Sequence, residues 1–141
     1  MNPEDQARKD IDKMLIASGW IIQDYEDRNL SEGLGVAVRE YPLSMDNADY
    51  ALFIDSQPVG VVEAKKYGHT LSGVVEQSEK YLDGLHEKFT SAPIRPPFSY
   101  ETTGIETTFA DRRDPNHRSR HVFTFHRPEL LQAWLKEEKT L

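Results

Sequence analysis

Two acidic residues and a lysine lie at the ends of two apolar stretches of the sequence. Asp49 is near the start of residues 48–54, and Glu63 and Lys65 end residues 59–65. Both stretches are rich in β-branched and aromatic residues, which favour strands. Glu63 and Lys65 are two residues apart and therefore point to the same face of a strand. Two carboxylates and a lysine at the end of a hairpin are groups that suit metal-dependent hydrolysis of a phosphodiester.

The turn between the two stretches sets the distance between the carboxylates. We predict a three-residue loop at residues 55–57, so that Ile54 pairs with Pro58. In that register Asp49 lies opposite Glu63, and like charges at opposed positions destabilise a sheet. A divalent cation removes that repulsion. The alternative is a set of ordinary solvated charges, because short motifs often match by chance, but charges next to an apolar run favour the metal site.

A predicted helix follows the hairpin. Apolar residues recur at helical spacing from Thr70 to about Lys88, which indicates an amphipathic helix. Gln77 and Tyr81 are four residues apart, so they lie on one helix face at the edge of the apolar stripe. A polar tip at that edge can reach the adjoining site. Spacing alone leaves the alternative open that Gln77 is a solvated helix residue and Tyr81 belongs to the core.

Together, these residues resemble the Pro-Asp…Asp/Glu-x-Lys nuclease superfamily, in the branch marked by Gln-x-x-x-Tyr. Asp49, Glu63 and Lys65 match the first motif, and residues 77–81 match the second. Ala48 stands where the motif has proline, a position at which the superfamily is loose. The resemblance implies a restriction-endonuclease-like α/β fold.

The resemblance also implies a role for each matching residue. The catalytic residues would be Asp49, Glu63 and Lys65. The ligands of Mg²⁺, or of Mn²⁺ in its place, would be Asp49, Glu63 and the backbone carbonyl of Ala64. The residues that position the DNA backbone would be Gln77 and Tyr81.

Several further blocks resemble the amino-terminal nuclease domain of type I restriction-enzyme R subunits. These blocks are residues 38–43, 48–50, 61–65, 118–120 and 122–129. In that family an ATP-driven DNA-translocating motor follows the nuclease domain. The resemblance implies that residues 1–127 form the nuclease domain and that residues 128–141 are a helix leading toward a motor outside this chain. It also implies double-stranded DNA and the methyltransferase and specificity subunits as partners, with ATP bound only by the full-length subunit.

Composition narrows the class of protein. A length of 141 residues fits one domain with a normal core. No apolar run approaches the roughly 18–20 residues that span a bilayer, and the polar start is not a signal peptide. The lack of cysteine excludes disulfides and favours the cytoplasm. The net charge of −7 is unusual for a nucleic-acid enzyme, so we expect this domain to bind DNA weakly on its own.

The order of predicted elements gives the fold class. A helix over residues 3–18, an antiparallel hairpin, a second helix and further strands predict a mixed central sheet flanked by helices. The dense basic cluster consists of Arg112, Arg113, His117, Arg118, Arg120 and His121. It is a candidate contact for the DNA backbone or a motor domain, or an ordinary solvated loop. Two other functions stay open: a catalytically silent docking module of the same fold, and a repair or transposition nuclease of the same superfamily.

Overall fold

The structure, a computed structural model, describes residues 2–66, 68, 71, 75–116 and 118–137, which contain three α-helices and seven strands. The helices are α1 (Pro3–Ala17), α2 (Val75–Lys88) and α3 (Pro128–Lys136), and a 3-10 turn spans Tyr25–Asp27. The strands are β1 (Ile21–Asp24), β2 (Gly35–Pro42), β3 (Asn47–Ile54), β4 (Gln57–Ala64), β5 (Phe98–Thr102), β6 (Thr107–Asp111) and β7 (Arg120–Val122). No helix in these ranges is long and apolar enough to cross a bilayer.

The strands form one sheet in the order of the sequence, β1 to β7. Strands β1 and β2 are parallel, as are β4 and β5, and every other neighbouring pair is antiparallel. Parallel neighbours need a crossover connection, and α2 lies in the one that joins β4 to β5. The predicted mixed α/β sheet is therefore confirmed.

Helices cover both faces of the sheet. Ile11 of α1 and Leu131 of α3 pack in one core cluster with Tyr50. Leu82 of α2 packs in a second cluster with Phe53. Since successive residues of a strand point to opposite faces, the unbroken apolar sequence of β3 follows from burial of the sheet on both sides. Helix α3 thus contributes to the core, while the domain boundary predicted at residue 128 stays a prediction.

The β3–β4 turn is tighter than predicted. Ile54 pairs with Gln57, not with Pro58, so the loop has two residues and the predicted three-residue loop is wrong. Asp55 and Ser56 both have positive φ, 51° and 65°. Positive φ at both central positions is typical of a type I′ turn, whose twist matches that of the flanking strands.

A bulge beyond the turn restores the predicted register at the other end of the hairpin. The pairing shifts by one residue next to Leu52, because β4 has an extra residue there. From that point the pairs follow the predicted alignment, and Tyr50 pairs with Val62. Continuing the register by one residue sets Asp49 opposite Glu63. The shorter loop and the unpredicted bulge shift the register by one residue in opposite directions. The predicted alignment of Asp49 with Glu63 is therefore unchanged.

Candidate active site

Asp49 lies where β3 meets the end of β4, and both of its carboxylate oxygens are engaged. Oδ2 accepts the backbone N–H of Ala64 at 2.7 Å, and Oδ1 accepts Nη2 of Arg8 at 2.5 Å. Burial raises the pKa of the Asp49 carboxyl above its ordinary value, while the Ala64 N–H and Arg8 oppose that rise. The negative charges of Glu40 and Glu63 raise the pKa further.

Glu63 has one engaged and one free carboxylate oxygen. Its Oε1 lies 3.2 Å from Nζ of Lys65, which confirms that these two side chains share a face. Its Oε2 is buried and has no hydrogen-bond partner among the described residues. A buried carboxylate oxygen without a partner is unfavourable, since it has lost water and gained nothing. The site therefore has unused capacity to bind a cation or a proton donor.

Helix α2 closes a small pocket over the two acids. The pocket is lined by Ala48, Asp49, Val61, Val62, Glu63 and Tyr81. Tyr81 also packs against the core cluster of α2, so it is both a core residue and a wall of the pocket. Burial raises the pKa of the Tyr81 hydroxyl, and the negative charge of Glu63 adds to the rise. The side chain of Gln77 lies outside the described residues, and its predicted role stays a prediction.

The donor set fits Mg²⁺. Asp49 and Glu63 offer carboxylate oxygens, and the buried Oε2 of Glu63 has no partner within the described ranges. Within the described ranges, no group of three or more His, Cys, Asp or Glu side chains converges as metal ligands do. Mg²⁺ commonly uses one or two carboxylates and keeps several waters or substrate oxygens. Two acids therefore suffice, and the participation of the Ala64 carbonyl stays a prediction.

Comparison with known families decides which family this is. A family model described as the second domain of the type I restriction enzyme EcoKI endonuclease subunit matches residues 25–96. The match spans about half of the chain and contains all the predicted site residues. This chain belongs to the type I restriction endonuclease subunit family.

Two known proteins resemble this member of the family over most of its length. The type I restriction enzyme EcoKI endonuclease subunit of Escherichia coli (strain K12) is 26% identical over an alignment 185 positions long, which covers 96% of this chain. The match covers 16% of the E. coli protein, so the chain spans about a sixth of that relative. A solved fragment of a protein named as an HsdR subunit of a type I restriction enzyme from Vibrio vulnificus YJ016 has the same fold. Its TM-score is 0.67 at 20% identity, and the match covers 96% of this chain and 25% of that one.

Two residues of the candidate site do not follow from local sequence patterns. Arg8 of α1 contacts Asp49 and also Oε1 of Glu40, at 2.7 Å from its Nη1. Glu40 lies in β2 with a φ of 51°, a left-handed backbone conformation that is uncommon outside glycine. Helical spacing indicates only that Arg8 lies at the edge of the apolar stripe of α1, since it directly follows buried Ala7. Nothing in that spacing names Asp49 as the partner.

Two arginines of the basic cluster, Arg112 and Arg113, are paired with acids of the same domain. Nη1 of Arg112 lies 2.7 Å from Oδ1 of Asp83 on α2. Nη2 of Arg113 lies 2.8 Å from Oδ2 of buried Asp111. Arg118, Arg120 and His121 are exposed, and His117 lies outside the described residues. Arg112 and Arg113 therefore act in the fold, whereas the exposed members remain available to a partner.

Proposed function

We propose that this domain is the DNA-cleaving module of a type I restriction R subunit and that it hydrolyses phosphodiester bonds with Mg²⁺. The observation that carries the proposal is the buried Oε2 of Glu63, which has no hydrogen-bond partner in the part of the chain that the structure describes. Two opposed acids at a sheet end are unfavourable for folding alone, and a divalent cation removes their repulsion. Membership in the restriction endonuclease family supplies the class of reaction.

The proposed ligands of Mg²⁺, or of Mn²⁺ in its place, are Asp49, Glu63 and the backbone carbonyl of Ala64. When bound, the ion supplies Lewis acidity and makes water a stronger acid at the scissile phosphate. Asp49 is pre-positioned by the Ala64 N–H, so the fold rather than the metal sets the direction of its carboxylate. Glu63 is pre-positioned by burial and by its contact with Lys65.

Lys65 is the proposed proton-handling and charge-stabilising residue. Its Nζ lies 3.2 Å from Oε1 of Glu63, and the lysine side chain is 22% exposed. An ammonium there orients the attacking water and stabilises negative charge that grows on the phosphate oxygens. Tyr81 lines the pocket with the two acids and has a hydroxyl that can donate to a DNA backbone oxygen. Gln77, one helical turn earlier, is proposed to do the same.

The proposed biological setting is a multisubunit restriction complex. Cleavage of double-stranded DNA follows translocation by an ATP-driven motor elsewhere in the subunit, and ATP is not a ligand of this domain. Recognition of sequence belongs to the partners, the methyltransferase and specificity subunits. The net charge of −7 supports this division, because a domain of this sign needs other parts of the complex to hold DNA.

The rival function that needs a test is a silent docking module with the same fold. Lys65→Ala in the full-length subunit, assembled with its partners, should reduce DNA cleavage at least about 100-fold, the usual scale for loss of a group that stabilises transition-state charge. ATP hydrolysis and translocation should change little, because Lys65 lies in the cleavage site alone. Cleavage and ATP hydrolysis are measured on the same preparation.

Lys66→Ala is the matched control for that experiment. Lys66 is the next residue along the chain, and its side chain is exposed. We expect it to cut DNA at the wild-type rate. Wild-type cleavage by Lys65→Ala would remove this lysine from the mechanism and favour the docking module.

A further inference from the structure

Arg8 of α1 lies between two acids, Asp49 and Glu40. Nη2 of Arg8 contacts Oδ1 of Asp49 at 2.5 Å, and Nη1 contacts Oε1 of Glu40 at 2.7 Å. The Arg8 and Asp49 side chains are 27% and 23% exposed, so the pair is screened less than a surface salt bridge is. The guanidinium also lies 5.8 Å from the ring centre of Tyr50.

Helix packing holds Arg8 in that position. Ala7 and Ile11, on either side of Arg8 in α1, are buried in the core. One turn farther on, Asp12 accepts a hydrogen bond from the hydroxyl of Tyr50 at 2.6 Å. Helix α1 is therefore tied to β3 on both sides of the contact, and the Arg8 side chain starts from a fixed backbone.

The contact conflicts with a metal at Asp49. Oδ2 of Asp49 is already engaged by Ala64, so Oδ1 is the oxygen that a cation from solvent would approach. Arg8 lies on Oδ1, and two positive charges a few ångströms apart repel each other strongly in a partly buried site. A guanidinium stays charged at every physiological pH, so it cannot make room by losing a proton. Only movement of the side chain can make room.

Glu40 offers a place for Arg8 to remain. Its side chain is 52% exposed and is already bound by the other nitrogen of the guanidinium. Rotation of the Arg8 side chain can therefore release Asp49 while it keeps Glu40. Glu63 requires no such exchange, because its buried Oε2 is free among the described residues.

We propose that Arg8 is the internal counter-ion of this site: it holds Asp49 while no divalent cation is bound and gives it up, remaining on Glu40, when one binds. Arg8 is in this account a positioning residue that keeps the affinity for free metal low. The inference rests on the proposed function, because it takes Asp49 to be a metal ligand.

The test compares the affinity of the DNA-free 141-residue chain for Mn²⁺ by calorimetry. Arg8→Gln keeps a long polar side chain but removes the competing charge. We expect it to bind Mn²⁺ about tenfold more tightly than wild type, the scale of one partly buried charge pair. Arg8→Lys keeps the charge and should stay within about twofold of wild type, since the competition is electrostatic.

Lys9→Gln is the matched control, because it removes one positive charge from the adjacent, exposed position of α1. Equal tightening by Lys9→Gln and Arg8→Gln would mean a general charge effect and would overturn the inference. Unchanged or weaker binding by Arg8→Gln would also overturn it. So would a failure of both wild type and Arg8→Gln to bind millimolar Mn²⁺.

A measurement on wild type keeps the inference testable if Arg8→Gln does not fold. The Arg8 side-chain Nε–H resonance is assigned by its loss in Arg8→Lys. It should shift on addition of Mg²⁺, and an unmoved resonance at saturating Mg²⁺ would contradict the exchange.

Asp49→Asn separates the two proposals. If Asp49→Asn binds Mn²⁺ as tightly as wild type does, the proposed metal site fails. If Asp49→Asn removes binding but Arg8→Gln does not strengthen it, the Arg8 inference alone fails.

Discussion

The acidic end of the β3–β4 hairpin and the basic segment after β6 both concentrate charge, but they use it in opposite ways. At the hairpin, Asp49 and Glu63 are like charges brought together, and one buried oxygen of Glu63 has no partner among the described residues. After β6, Arg113 is matched to Asp111 and also donates to the backbone carbonyl of Trp134 at 3.1 Å. The hairpin end therefore keeps capacity to bind a ligand, whereas Arg112 and Arg113 are already paired with acids of the domain.

Charge density in a sequence therefore does not identify a site, whereas a buried carboxylate oxygen without a hydrogen-bond partner among the described residues is a better guide to one. Arg112 also has a buried group without a partner. Its Nη1 is paired with Asp83, but its Nη2 has no hydrogen-bond partner in the described ranges. An arginine with three N–H donors outside that group tolerates its loss better than a carboxylate oxygen tolerates burial beside another carboxylate. The hairpin end is therefore the stronger candidate for ligand binding.

The largest expected effect that separates the two regions is on stability. Arg113→Ala should lower the free energy of unfolding by about 3 kcal/mol, because it leaves Asp111 buried without its charge partner. Its guanidinium also lies 5.3 Å from the ring centre of Phe98, and that contact is lost too. Chemical denaturation of the purified chain measures the change.

Arg118→Ala is the control for that variant, since Arg118 is an exposed arginine of the same segment. Its unfolding free energy should stay within about 0.5 kcal/mol of wild type. If Arg113→Ala were as stable as wild type and instead lost DNA binding in the assembled complex, the basic segment would be a nucleic-acid surface and the comparison would be wrong.

A smaller effect of opposite sign is expected at the hairpin. Glu63→Gln should raise the free energy of unfolding of the metal-free chain by about 1 kcal/mol, since it removes a buried like charge from beside Asp49. Asp111→Asn should lower it, because the hydrogen bonds from the Arg113 guanidinium lose their charge assistance. Both chains are compared by denaturation with a chelator present. A loss of stability in Glu63→Gln as large as that in Asp111→Asn would mean that Glu63 is a structural acid.

Local patterns in the sequence predicted those residues of the candidate site that lie in one hairpin and in one helix. Strand-forming residues and turn composition predicted the hairpin and the alignment of Asp49 with Glu63, and helical spacing predicted that Tyr81 lies at the edge of the apolar stripe of α2. The exact turn was missed because a bulge near Leu52 moves one residue between loop and strand without altering the pattern of apolar residues.

What the sequence did not reveal lies in contacts between distant segments. Arg8 and Asp49 are 41 residues apart, and no spacing rule connects a helix residue to a strand that far along the chain. The same holds for Arg112 and Asp83, 29 residues apart, whose pairing decides that this arginine serves the fold. Local patterns therefore predicted the acids of the site but not the cations that balance them.

The most direct test of the central claim is to locate Mn²⁺ by the broadening of backbone amide signals in the DNA-free chain. If the metal binds at the end of the hairpin, the Asp49 and Ala64 amides should broaden at the lowest Mn²⁺ concentration, while the Arg113 and Arg118 amides should not. Asp49→Ala should also abolish the broadening at Ala64. The same broadening in Asp49→Ala, or earlier broadening near Arg113, would contradict a metal site at the end of this hairpin.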